Sequence, residues 1–394
     1  MLAWLYAGAP AVAVEWRLLH ASLQIFGFFG TLIVGVAHHL FARFTGRATA
    51  RSAFTHPVLA LLLAALALRV AGTWGGWPAA VLIGAVLQAL GFLVFSGWVW
   101  RCLDPPPLGP LRRHLAASSG WIAAACLCET FLRWRAVNAG LAVPPLDSMR
   151  AVHSMALLGG VIGWVTGVLL RAGPMFAPRW NVPAALARAL PWLYGLGAAL
   201  AAAGEWAGDG RAARVGELVV FGSVAAMLIA GGVLRQAGGR LPMVSRSAEE
   251  SRIFRLAVAS LGAAVVGAAA GVAIAWGGGE AHLLTDAVRH LVAVGFLTAV
   301  AIAMTFRLIP VLEGRALPWP RLRAVALWAL AAGVVLRSAE TLLGLGWVWM
   351  APAVALSGLF VWAAVLCAGT NLLGAVVRRS GTGPRRRRMS QPRP

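Results

Sequence analysis

The chain has 394 residues, of which 60% are hydrophobic and only 12% are charged, and its mean hydropathy is +0.79. Soluble domains contain about 25% charged residues, so this composition excludes a water-facing globular protein. The formal net charge is +21, and every one of the 34 basic residues is an arginine. These arginines lie between apolar runs rather than in a basic domain with interleaved aromatic residues, which argues against nucleic acid as a partner.

Apolar runs of about 20 residues, the length that crosses a bilayer, follow one another along almost the whole chain. They predict an all-α fold, a polytopic transmembrane helical bundle of about eleven spans. A single transmembrane domain is expected over residues 1–378, with a basic cytoplasmic tail at 379–394. In chain order the predicted spans are 18–41, 54–72, 78–101, 115–137, 149–172, 184–203, 212–235, 253–276, 282–309, 322–340 and 350–377.

The distribution of arginine predicts the orientation of these spans. The loop after the first span holds Arg43, Arg47 and Arg51, whereas the next loop, at about 73–77, holds none. Because cytoplasmic loops carry the excess of positive charge, the N-terminus is predicted outside and the C-terminus in the cytoplasm. The run Arg385–Arg388 in the tail is then an anchor against anionic lipid.

Three histidines recur at similar intervals and predict an internal repeat. His20, His153 and His290 are spaced by 133 and 137 residues, about a third of the chain. Arg171 follows His153 by 18 residues and Arg307 follows His290 by 17, and each arginine opens the pattern Arg-x-x-Pro-x4-Arg. These matches predict three pseudo-repeats of four helices, with the first helix of the first repeat largely missing. The predicted repeat boundaries are about 1–105, 106–240 and 241–378.

The repeated histidines are candidate ligands. At about 1.5 Å of rise per residue, His153 and His290 lie about 27 Å from the arginine at the cytoplasmic end of the span. His39 occupies the same frame 19 residues after His20, so all three histidines share one depth. Imidazole is a ligand of haem iron and of copper, which makes His20, His153 and His290 candidates for cofactor and metal binding. His282, eight residues before His290, is a further metal-ligand candidate. The alternative is that each histidine is interfacial and hydrogen-bonded to a neighbouring carbonyl.

Acidic residues are few, and Glu129 and Glu340 each have a basic residue at helical spacing. Glu129 precedes Arg133 by four residues and Arg337 precedes Glu340 by three, so both pairs are expected inside the membrane. These pairs have two interpretations. The two residues of a pair neutralise each other's charge, or they bind a proton or a propionate group. His114, after two arginines, is expected in a loop.

One stretch carries a family resemblance. The sequence from His20 to Phe28, His-Ala-Ser-Leu-Gln-Ile-Phe-Gly-Phe, resembles the opening of the NnrS family of bacterial inner-membrane proteins. Thr45-Gly46-Arg47 fills the Thr-Gly-Arg that follows in that family, and the span from His153 to Arg171 is also similar. The resemblance implies a haem- and copper-containing protein of the bacterial inner membrane that acts in the response to nitric oxide.

The resemblance extends, more distantly, to the twelve-helix plan of haem–copper oxidase catalytic subunits, whose ligand histidines lie on helices two, six and ten. With the missing first helix restored, His20, His153 and His290 fall on those helices. The sequence also departs from the family, because Ser22 stands at its second histidine and Leu23 at its acidic residue. A complete three-histidine copper centre is therefore not expected.

The leading hypothesis is a haem-binding membrane protein of the NnrS type, with copper as the second candidate cofactor and nitric oxide as a gaseous ligand. One alternative is an enzyme related to haem–copper oxidases and nitric oxide reductases. The other is a transporter that retains only the fold. No catalytic residue is assigned, and the oligomeric state is left open.

Overall fold

The chain folds into helices in the computed structural model, which describes residues 10–45, 54–103, 109–177, 180–236, 248–279, 282–313, 316–343 and 348–377. The described residues contain no β-strand. The predicted all-α class is therefore confirmed. The basic tail at 379–394 lies outside the described residues.

Compact packing divides the chain into two units, which are described separately. Unit 1 comprises residues 1–242 together with 262–285, and unit 2 comprises 243–261 together with 286–394. The first two predicted repeats fall in unit 1 and most of the third falls in unit 2. The repeat itself remains a prediction.

Unit 1 is built from antiparallel helices joined by short loops. Helix α3 packs on α4, α4 packs on α5, and α8 packs on α9, while the π-helical segment π2 contacts both α5 and α8. The elements in chain order are α1 (Pro10–Ser22), π1 (Leu23–Gly30), α2 (Thr31–Thr45), α3 (Thr55–Gly75), α4 (Pro78–Cys102), α5 (Pro110–Asn138), α6 (Leu146–Ser154), π2 (Met155–Val161), α7 (Ile162–Ala172), the 3-10 turn Gly173–Met175, α8 (Ala184–Ala207), α9 (Gly210–Ala230) and the 3-10 turn Val233–Gln236.

Unit 2 contains the end of the chain, where α13 packs on α15, α12 packs on α15 and π3 packs on α13. Two helices are shared, since α10 begins in unit 2 and ends in unit 1, and α11 begins in unit 1 and ends in unit 2. The elements are α10 (Ala248–Trp276), α11 (His282–His290), π3 (Leu291–Thr298), α12 (Ala299–Glu313), α13 (Pro320–Ser338), α14 (Glu340–Leu343), the 3-10 turn Val348–Met350 and α15 (Ala351–Val377).

The α8–α9 hairpin shows how local sequence fixes a tight connection. Gly208, at φ +69°, ends α8 in the left-handed conformation that favours glycine. The Asp209 carboxylate then caps α9 by accepting hydrogen bonds from the backbone N–H groups of Arg211 (2.9 Å) and Ala212 (3.2 Å). The short turn holds the two helices so close that a Cβ built on Gly216 would lie 2.3 Å from the backbone nitrogen of Ala201.

Among the described residues, ten helices are long and apolar enough to cross a membrane. A multi-pass membrane protein is thus confirmed. Ten of the eleven predicted spans coincide with these helices. The remaining one, predicted at 322–340, coincides with α13, which is 19 residues long and carries Arg321, Arg323 and Arg337.

Each of the three repeated histidines stands immediately before a π-helical segment. The segments π1, π2 and π3 begin three residues after His20, two after His153 and one after His290. π-helical turns are rare and occur frequently at functional sites. The sequence analysis did not predict these segments, and they are a structural feature that the three histidine-bearing spans share in addition to the spacing of the histidines.

Candidate metal centre and buried charge clusters

His290 ends α11 and is half-buried. Its Nδ1 lies 2.7 Å from the backbone carbonyl oxygen of Asp286, one helical turn earlier. A carbonyl only accepts hydrogen bonds, so Nδ1 donates this one, and in the neutral imidazole Nε2 is the nitrogen that can bind a metal. Metal-ligating histidines are held in this way, with one ring nitrogen donating to a carbonyl and the other facing the metal.

Two carboxylates lie beside this imidazole. Each of Asp286, His290 and Glu340 offers one ligand atom, and these three atoms lie within 4.8 Å of one another. Asp286 is exposed on α11, whereas Glu340 is buried at the start of α14. One nitrogen and two oxygen donors form a set that divalent transition metals accept. The sequence predicted His290 as a ligand but missed Asp286, although Asp-x-x-x-His is an i,i+4 pair on one helix face.

Arg337 belongs to the same group. Its Nη2 lies 3.1 Å from Glu340 Oε2 and 3.5 Å from Asp286 Oδ2. The predicted Arg337–Glu340 pair is therefore present, with Asp286 added to it. Nε and Nη1 of Arg337 are buried without a hydrogen-bond partner in the described part of the chain. This guanidinium is the cation that the two carboxylates face.

His282 begins α11, so the helix starts early enough to carry both His282 and His290. The side chain of His282 is exposed, and it is not a member of the group of three. The structure thus replaces the predicted His282–His290 combination by one imidazole and two carboxylates.

His20 and His153 belong to unit 1. His153 is half-buried on α6, and its Nε2 lies 3.5 Å from Oγ of Ser22, which has no exposed surface at the end of α1. Ser22 of α1 therefore lies beside His153. His20, two residues earlier on α1, is exposed.

A buried ion cluster confirms the predicted Glu129–Arg133 pair and enlarges it. Arg133 Nε lies 2.9 Å from Glu129 Oε1, and Arg69 Nη2, from α3, lies 2.8 Å from Glu129 Oε2. Gln88 of α4 donates a further hydrogen bond of 3.3 Å to the same carboxylate. Glu129 has no exposed surface and Arg69 is 1% exposed.

A third charged cluster lies in the α8–α9 hairpin and was missed by the sequence analysis. Arg214 Nη2 lies 2.6 Å from Glu205 Oε1, and Arg214 Nη1 also pairs with Glu217 Oε2. The i,i+3 spacing of Arg214 and Glu217 was the available signal. Glu205, nine residues away across the turn, offered none.

The expectation of a loop at His114 is wrong. Helix α5 begins at Pro110, and His114 is fully buried, with Nε2 3.2 Å from the carbonyl oxygen of Ala187. Tyr194 lies beside it and is 3.2 Å from Ser118 Oγ. The two preceding arginines suggested a polar segment, but they lie on the exposed face of the helix.

No protein-family model matches this chain, and no curated protein sequence matches it.

Proposed function

We propose that the protein is a metal-binding protein of the bacterial inner membrane and that, as its resemblance to the NnrS family implies, it acts in the response to nitric oxide. The observation that carries the proposal is the group formed by His290, Asp286 and Glu340. Copper is the metal proposed for it, because Cu(II) favours mixed nitrogen and oxygen ligands. We propose that this group binds the metal ion, and we assign no catalytic turnover to the protein.

The buried carboxylate of Glu340 supports this reading. An ionised group within a membrane protein is costly and normally has a counter-ion or a function. Arg337 supplies a counter-ion at 3.1 Å, and a metal ion would share the two carboxylates with this guanidinium.

Haem is proposed separately, in unit 1. The donors around His290 fit a metal ion better than haem, because haem iron takes axial ligands and would leave two carboxylates without a role. His153 is the stronger haem candidate, since its half-buried imidazole precedes π2 and lies beside α1. When bound, haem would supply the iron that nitric oxide ligates.

The test for copper uses the full chain purified in a non-ionic detergent, titrated with Cu(II) and analysed for bound metal. We expect one copper ion in the wild type and loss of that ion in His290→Ala and in Glu340→Gln. His282→Ala is the matched control, since it removes an imidazole from the same helix outside the group. Equal copper content in all four proteins would overturn the assignment.

The test for haem is the absorption spectrum of the same protein, oxidised and then reduced with dithionite, after expression with haem supplied. A Soret band in the wild type that is lost in His153→Ala supports haem ligation. A colourless wild-type protein would refute it. If copper is also absent, the transporter alternative becomes the leading hypothesis.

The nitric oxide role needs its own test, because only the resemblance supports it. Cells that depend on this protein for growth under a nitric oxide donor should lose that growth with His290→Ala and retain it with His282→Ala. Consumption of nitric oxide by the purified protein with an electron donor would instead favour the enzyme alternative.

A further inference from the structure

A small cavity that no histidine lines lies at one end of the helices of unit 1. Its volume is about 90 Å³, and residues of α1, α3, α4 and α5 and of two loops line it. Gly76 and Ala142, which lie in those loops and line the cavity, are exposed. The cavity therefore lies near the end of the bundle, where water and solutes reach it.

Two arginines of the Glu129 cluster line this cavity. Arg69 is 1% exposed and Arg133 is 7% exposed, and both contact the single carboxylate of Glu129. Glu129 thus faces two guanidinium groups with one carboxylate, and Glu15, which also lines the cavity, balances the charge of the cluster. An anion would therefore be bound through the guanidinium donors that Glu129 leaves unused rather than through a surplus of charge.

Arg69 also has hydrogen-bonding capacity to spare. Its Nε and Nη1 atoms are buried and have no hydrogen-bond partner in the part of the chain that the structure describes. An unsatisfied buried donor costs about 1–3 kcal/mol, and more when it is charged. A cavity lined by such a guanidinium is a place where an acceptor oxygen would be stabilised.

We propose that this cavity binds a small monovalent oxyanion, of the formate or nitrite type. Drug-sized ligands occupy cavities of about 300–1,000 Å³, so a cavity of about 90 Å³ suits an anion of a few atoms. Oxygen acceptors are favoured because guanidinium donors match carboxylate-like groups. The inference does not depend on the proposed metal centre, which lies in unit 2.

Glu15 gives the proposal a distinctive consequence. This half-buried carboxylate of α1 also lines the cavity, so its negative charge opposes an anion. Removing the charge should strengthen anion binding. Loss of structure cannot produce such a gain, so Glu15→Gln separates a binding site from a purely structural ion cluster.

The experiment is isothermal titration calorimetry of the full chain in a non-ionic detergent, with sodium formate, sodium nitrite and sodium chloride. We expect formate or nitrite to bind the wild type at a single site and to bind Glu15→Gln at least about threefold more tightly. Asp147→Asn is the matched control, because it removes an exposed carboxylate that does not line the cavity, and it should leave the affinity unchanged.

Two further variants should weaken binding. Arg69→Lys keeps the charge but loses the guanidinium donors, and it should weaken oxyanion binding about tenfold or more. Ala142→Phe fills the cavity from an exposed loop and leaves both arginines in place, so it tests the site even if Arg69→Lys does not fold. The proposal is overturned if neither oxyanion binds the wild type, if chloride alone binds, or if Glu15→Gln weakens binding.

Discussion

Glu129 links three elements of unit 1 through one carboxylate. Arg69 of α3 and Arg133 of α5 lie 2.8 and 2.9 Å from its two oxygens, and Gln88 of α4 adds a hydrogen bond. In a low-dielectric interior, the loss of one member of such a cluster leaves the others as uncompensated charges. The cluster therefore couples the packing of α3, α4 and α5.

Glu129→Gln should destabilise the protein by about 3–5 kcal/mol, because it leaves two buried guanidinium groups facing a neutral amide. Thermal unfolding in detergent measures the effect. Asp147→Asn is the control, since Asp147 and Arg150 form an exposed pair at 3.1 Å whose loss should cost about 1 kcal/mol or less. Similar unfolding temperatures for the two variants would contradict the argument.

Arg337→Gln should have an unusual effect if the metal centre exists. The variant removes the cation that competes for Asp286 and Glu340, so Cu(II) should bind about tenfold or more tightly, and the stability lost without copper should return with it. Arg214→Gln is the matched control, because Arg214 also lies between two carboxylates, Glu205 and Glu217, but no histidine belongs to that cluster. Copper that fails to stabilise Arg337→Gln, or that stabilises both variants equally, would contradict the assignment.

At the scale of single residues, the sequence predicts an ion pair only when both residues lie close together on one helical stretch. Glu129 with Arg133 and Arg337 with Glu340 follow from i,i+4 and i,i+3 spacing. Arg69 lies 60 residues before Glu129, on another helix, and periodicity carries no information about which helix faces which. His290 was predicted from its repeated position, whereas Glu340 as its neighbour depends on the packing of unit 2.

At the scale of elements, the π-helical segments change the register of the histidine-bearing spans. A π-turn uses more residues per turn than an α-turn, so side chains after it point in directions that a period of 3.6 does not predict. This change of helical register begins one to three residues after each of His20, His153 and His290. The positions of the spans could be predicted from apolar length, but this displacement could not. The fifth residue of each π segment is a glycine (Gly27, Gly159 and Gly295), but glycine is frequent in membrane helices and does not by itself predict a π-turn.

Helix α9 offers a direct test of how closely the elements pack. A Cβ on Gly216 would lie 2.3 Å from the backbone nitrogen of Ala201 and 2.5 Å from the carbonyl oxygen of Gly197, and backbone atoms cannot move aside cheaply. Gly216→Ala should therefore destabilise the protein by about 1–3 kcal/mol. Gly222→Ala, on the same helix with no atom within 4 Å of the new Cβ, should be neutral or stabilise by about 0.5–1 kcal/mol. If Gly216→Ala is tolerated as well as Gly222→Ala in thermal unfolding, α8 and α9 are less closely packed than described.

At the scale of the whole molecule, the number of membrane crossings determines which side each loop occupies. Composition and hydropathy establish a multi-pass protein, and ten helices satisfy length and apolarity. Helix α13 is about 28 Å long at 1.5 Å per residue, which is close to the hydrocarbon thickness, but Arg321 and Arg323 lie in its first turn. Arginines at a helix end reach the interface through their long side chains, so these two charges are compatible with a span.

Cysteine labelling of intact cells tests both the crossing of α13 and the predicted orientation. In a background with the native cysteines replaced by alanine, Ala142→Cys and Trp349→Cys should react with an impermeant maleimide from outside. Asn181→Cys and Ala316→Cys should react only after permeabilisation, because the arginine-rich side is predicted to face the cytoplasm. All four positions lie outside the long helices and are exposed. If Ala316→Cys and Trp349→Cys react from the same side, α13 does not cross; if all four react with the opposite sidedness, the predicted orientation is wrong.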